Sequence, residues 1–175
     1  VPTSDLRQAF YVVNTVHELP HRTVLDVGPG WGKYAVLLRE YLNEKPERIG
    51  CVEAWAPYVD EHRLDLLYDE IMVGDACDVP QETLDRYELV LMVDVIEHIE
   101  KDRALEFLDR CPGYVVVLTP VDWFQTDEGL PSPERHVSHW TCVDFPADRV
   151  RSCYEHQAGL FVVLGPRPED APAVG

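Results

Sequence analysis

The chain's densest group of reactive side chains is PERHVSHWT, residues 133–141, where Glu134, Arg135, His136, His139 and Trp140 nearly adjoin. Histidine exchanges a proton near neutral pH, so His136 or His139 suits removing a proton from a hydroxyl or amine nucleophile. An equal alternative is that Arg135 and the two histidines only fix their loop by hydrogen bonds. Two histidines three apart also suit a metal, but no cysteine or carboxylate set at ligand spacing accompanies them, so no metal is expected. A second chemical stretch lies in VLDVGPGWGKYAVLL, where Asp26, Gly28, Gly30 and Gly32 form DxGxGxG. Glycines there let the backbone turn tightly and let a ligand approach it closely. A dinucleotide fingerprint wants its third glycine where this chain has Lys33, and GxxxxGK[ST] is absent. Glu53 follows the turn by about 20 residues, a spacing at which a carboxylate closing the next strand accepts hydrogen bonds from ribose hydroxyls.

These residues need a frame. Val24, Leu25 and Val27 read as a strand covered on both faces, and Tyr34, Ala35, Leu37, Leu38 and Leu42 as the apolar stripe of a helix after the turn. A helix is expected ahead of them over 4–17, capped by Ser4, with Leu6, Phe10, Val13 and Val16 near helical spacing. Further strands are expected at RIGCVE, at IMVGDA, over Leu89 to Val93 with Asp94 at its end, and over Tyr114 to Thr119. Helices are expected over 58–70, with Val59, Leu64, Leu67 and Tyr68 buried, and over 102–110. Strands separated by helices imply right-handed crossovers and a mainly parallel sheet. The rhythm breaks at 120–138, a long proline-containing loop leaving the carboxyl end of a strand, where open α/β sheets bind ligands. Ser138 or Thr141 can cap a short helix, and a hairpin over 150–156 and 160–164, with Gly159 in its turn, closes the fold.

The DxGxGxG turn resembles the first motif of class I S-adenosylmethionine-dependent methyltransferases, and DVIEHI, residues 94–99, resembles their fourth motif in small-molecule enzymes of the quinone-biosynthesis type. The resemblance implies a Rossmann-like α/β fold: seven strands, mainly parallel with the last antiparallel, and helices on both faces. It implies S-adenosyl-L-methionine as cofactor, held by Asp26, Gly28, Gly30, Gly32, Glu53, Ala54, Asp75, Ala76 and Asp94. In that family the glycine turn passes beside the cofactor's amino acid end, Asp75 and the Ala76 amide read adenine, and a leading helix often covers the cleft, with Tyr11 as a candidate wall. His98 is a candidate substrate contact or a cap of the next helix. The chain has neither an NPPY-like tetrad nor the Asp-Asn pair that holds magnesium in catechol-type enzymes, which points to metal-independent methylation of an oxygen or nitrogen on a small molecule. The competing readings are a cofactor-binding module without turnover and an aminopropyl transferase.

Length and charge limit the rest. A chain of this length suits one domain over 1–175, with the helix within 1–20, an active-site loop at 120–138 and a flexible tail at 166–175. A net charge of −17 argues against nucleic acid or an anionic membrane as partner, because phosphate binding needs clustered Lys and Arg. The five cysteines contain no CxxC pair, so they read as reduced thiols in a cytoplasmic protein.

Overall fold

A computed structural model describes residues 6–121, 135–156 and 159–167. Seven strands form one sheet in the order β3-β2-β1-β4-β5-β7-β6: β1 (Thr23–Val27), β2 (Arg48–Glu53), β3 (Glu70–Val73), β4 (Leu89–Val93), β5 (Tyr114–Thr119), β6 (Val150–His156) and β7 (Gly159–Leu164). The pairs among β1 to β5 are parallel, and β7 runs antiparallel to both β5 and β6, as the sequence predicts. Strand order reverses between β1 and β4, so the turns leaving those two strands diverge and open a crevice at their carboxyl ends.

Alternation along the strands builds two cores. One face sends Leu25, Val27, Val90, Met92, Val115 and Val117 toward Ala104, Phe107 and Leu108 of α5 (Lys101–Arg110). The other sends Val24, Ile49, Leu89, Leu91 and Val116 toward α1 (Leu6–Glu18) and α2 (Lys33–Tyr41). Helix α1 rests on Ala9, Val12 and Val16, with Val13 packed beside them, and of the expected apolar positions Phe10 faces outward, 71% exposed. The cause is polar: Gln8 is buried and donates from Nε2 to Asp94 Oδ1 at 3.1 Å, which turns its side of the helix inward.

The helix predicted over 58–70 is instead a short α3 (Pro57–Glu61) followed by a single 3-10 turn, Leu64–Leu66. Arg63 between them takes φ 53°, a left-handed conformation that interrupts the helical hydrogen-bond run. Leu64 and Tyr68 are still buried, as expected. A further short helix, α4 (Gln81–Leu84), precedes β4. Thr141, not Ser138, caps the turn Cys142–Asp144, in a reciprocal capping box with Asp144.

Cys142 and Cys153 form a disulfide that ties this turn to β6, which corrects the reading of all five cysteines as reduced thiols. Sequence gave no warning, because the pairing depends on the turn and the strand being brought 5.8 Å apart, Cα to Cα. Buried Arg149 reaches the opposite way and donates to the carbonyls of Leu108, Cys111, Gly113 and Gly165. Ser4, most of the 120–138 loop including Glu134, and most of the 166–175 tail lie outside the described residues. Among the described residues no helix is long and apolar enough to cross a membrane.

Candidate active site

The glycine turn is built from backbone conformations that side chains resist. Gly28, Gly30 and Gly32 have φ of 65°, 54° and 71°, all in the left-handed region. Space also excludes a side chain: a Cβ on Gly28 would lie 2.6 Å from Val95, and one on Gly32 2.4 Å from Leu67. The Gly28 amide donates to the Val52 carbonyl and the Gly32 amide to that of Pro29, each at 2.9 Å. His62 holds the middle of the turn, with Nδ1 2.7 Å from the Gly30 carbonyl. A carbonyl only accepts, so Nδ1 carries the proton. The His62 ring stacks on Trp31 and Tyr58, with centroids 4.0 and 4.5 Å away.

Beneath the turn, Asp26 occupies a core position and accepts a 2.5 Å hydrogen bond from the Tyr68 hydroxyl. Burial pushes its carboxyl up to about 7, against the opposing pull of the Tyr68 bond and Lys33. Its side chain is anchored there by the Tyr68 hydroxyl.

Parallel register sets the remaining candidates along one edge. Val27 is level with Val52 and Met92, so the turn starts beside Glu53 on one side and the end of β4 on the other. Glu53 is buried and its Oε1 accepts from the Trp55 amide at 2.7 Å, which aims the carboxylate back along the strand end. Ala54 and Trp55 are exposed beyond it. Asp75 follows β3, with Oδ1 accepting from the Cys77 amide at 2.9 Å and Oδ2 from Arg103 at 2.8 Å, while Ala76 is buried. Asp94 has φ 53° and receives Gln8, so α1 is tied across the end of β4.

The two candidate catalytic histidines part company. His139 Nε2 lies 2.7 Å from the Val121 carbonyl and the residue is exposed. His136 packs edge-on against His98, with centroids 4.9 Å apart. Its strand of chain is pinned to the turn after β4: the amides of Val137 and Ser138 donate to the Glu97 carbonyl at 2.8 and 3.1 Å, and Ser138 Oγ to that of Ile96 at 3.1 Å. Buried Trp140 donates from Nε1 to Ser138 Oγ at 2.8 Å.

Glu97 was not singled out from sequence, yet it is 3% exposed and Thr119 donates to its Oε2 at 2.9 Å. Burial, aided by the nearby Asp94 charge, pushes its carboxyl up to about 8. Gln8, His62 and Tyr68 were likewise missed as site residues. The available signal was polarity inside apolar patterns, most visibly Glu97 in a segment that must enter the core after β4.

The fold has many solved counterparts. An O-methyltransferase family protein from Burkholderia thailandensis is 14% identical, with TM-score 0.60, over 91% of this chain and 56% of that one. The N-terminal domain of EvdMO1, solved in the presence of SAH and D-fucose, is 15% identical with TM-score 0.60, over 94% and 85%. A Rhodobacter sphaeroides structure described as a zinc-dependent alcohol dehydrogenase is 11% identical with TM-score 0.65, over 94% and 90%. The chain thus has the class I methyltransferase fold, and spans little more than half the length of the Burkholderia chain. No family model and no curated protein matches it by sequence. At these identities the likeness shows architecture, and activity has to be argued from the site.

Proposed function

We propose that this protein transfers a methyl group from S-adenosyl-L-methionine to an oxygen or nitrogen of a small-molecule acceptor. The observation that carries the reading is the turn of three left-handed glycines opening beside buried Glu53, at the point where strand order reverses. The residues fit the cofactor: the glycines leave backbone without side chains for its amino acid end, and Glu53 accepts from ribose hydroxyls. Ala54 and Trp55 flank the adenine, and Asp75 with the Ala76 amide reads its edge. When bound, the cofactor supplies an electrophilic methyl on a sulfonium, already a good leaving group. The protein therefore contributes mainly alignment and exclusion of water. Gln8 and Asp94 hold α1 over the end of β4 for that purpose.

On the acceptor side His136, packed on His98 beside the turn after β4, takes precedence over exposed His139. It would accept the proton that the acceptor hydroxyl or amine gives up. The charge of −17 favours a small acceptor over nucleic acid. The expectation of metal independence rests on the absence of a magnesium-holding Asp-Asn pair, and a different group of ligand types stands beside the end of β4.

Calorimetry with S-adenosylhomocysteine tests the cofactor reading: stoichiometric binding is expected, lost when Gly28 is replaced by Val. Absence of binding to the folded protein would end it. A module without turnover would bind equally well, and would then show no methyl consumption against a panel of hydroxyl and amine acceptors.

A further inference from the structure

Directly after β4 the fold converges three side chains of metal-ligating chemistry from two distant segments. Glu97, His98 and His136 each offer one ligand atom, and these atoms all lie within 4.8 Å of one another. The carboxylate is already oriented, because Thr119 Oγ1 donates to Oε2 at 2.9 Å. Its other oxygen, Oε1, is buried and has no hydrogen-bond partner among the described residues. A buried carboxylate oxygen left bare is costly unless something positive meets it.

His98 is oriented in the same manner. Its Nδ1 lies 3.0 Å from the Arg135 carbonyl, which can only accept, so Nδ1 carries the proton and Nε2 keeps its lone pair. His136 arrives on backbone bonded to Glu97 itself through Val137 and Ser138. All three candidate ligands thus stand on a fixed frame, two of them with the outer hydrogen bonds that metal ligands usually have.

We propose that Glu97, His98 and His136 form a binding site for a divalent transition-metal cation. Two imidazoles and one carboxylate suit manganese, iron, cobalt or zinc, whereas magnesium prefers oxygen ligands throughout. Three protein ligands leave coordination positions open. If the methyltransferase reading holds, an acceptor oxygen would fill one of them, the cation would make its proton easier to lose to solvent water, and His136 would serve as ligand in place of the base role given above. The cation site itself does not depend on that reading.

The test is cobalt(II) titration of the untagged chain, read by its visible d–d absorption, with circular dichroism as the check on folding. One cobalt per chain is expected, displaced by zinc. His136→Ala and Glu97→Gln should each weaken cobalt at least about 100-fold, and Thr119→Val about 10-fold through loss of the orienting hydroxyl. His139→Ala should leave cobalt affinity unchanged. Failure to bind cobalt, or equal binding by wild type and folded His136→Ala, would overturn the proposal. So would loss of cobalt in His139→Ala matching that in His136→Ala. Calorimetry with S-adenosylhomocysteine, run without metal, separates the two readings: cobalt bound without the nucleoside would leave this site standing and remove the methyltransferase.

Discussion

The crevice has two sides made by different means. On the glycine side, position is set by backbone: three left-handed glycines, the register of β1 with β2, and a carboxylate closing a strand. On the histidine side, position is set by side chains that meet only after folding, with Glu97 and His98 from the turn after β4 and His136 from beyond β5. The first side needs only local sequence to exist. The second exists only if two remote segments dock, which makes it the easier side to disturb without touching the other.

The largest expected effect separates support from contact on the glycine side. The folded Asp26 carboxyl, at about 7, lies above its unfolded value of 3.8, so the native state holds a proton the unfolded chain has lost. Its contribution to stability is present below the unfolded value and disappears as pH rises to about 7. The loss is at most about 4 kcal/mol across that window, at roughly 1.4 kcal/mol per pH unit. Urea unfolding from pH 4 to 8 should therefore show a steeper decline for wild type than for Asp26→Asn. Parallel curves would mean that the buried carboxyl is not what stresses the turn.

Next comes the disulfide at the far edge of the sheet. Closing 11 residues of chain constrains the unfolded state, so replacing Cys142 and Cys153 by Ser should cost about 3 kcal/mol in chemical denaturation. Affinity for S-adenosylhomocysteine should not change. If it did, the two sides would be coupled through the sheet.

The third expectation addresses the histidine side directly. Replacing His136 by Ala should lower turnover by about 10²-fold or more while leaving cofactor affinity nearly intact, whether the ring serves as base or as ligand. His139→Ala should fall well short of that. A kinetic comparison in which His139→Ala was the more damaged variant would restore the alternative histidine. Smallest is Glu53→Ala, which should weaken S-adenosylhomocysteine by roughly 1.5–3 kcal/mol by calorimetry, the usual worth of a hydrogen bond to a charged group. Unchanged affinity would remove Glu53 from the ribose.

The same contrast explains what could be read in advance. The seven strands were legible because their apolar runs have strand length and their ends carry turn chemistry, as with Gly28 after Val27 and Asp94 after Val93. Phe10 of α1 faces outward despite its spacing, because apolar spacing ignores Gln8, whose amide the fold buries against Asp94. Arg63 broke a helix that its residue type gives no reason to break. Glu97 and His98 were visible as letters, but their meeting with His136 depends on the docking of chain after β5, which no local pattern encodes.

Arg149 gives the far edge of the sheet a second meaning. Helix α5 ends near Leu108 and Cys111; the Leu108 carbonyl keeps one 3.3 Å bond from the Cys111 amide, and the guanidinium that also reaches both carbonyls comes from the residue just before β6. The same group grips Gly165 at the end of β7. The terminal hairpin is thus a helix stop supplied from elsewhere in the chain, not an appendage that can be trimmed. Amide exchange in the last turn of α5 and in β7 should share one opening free energy, as parts of a single foldon.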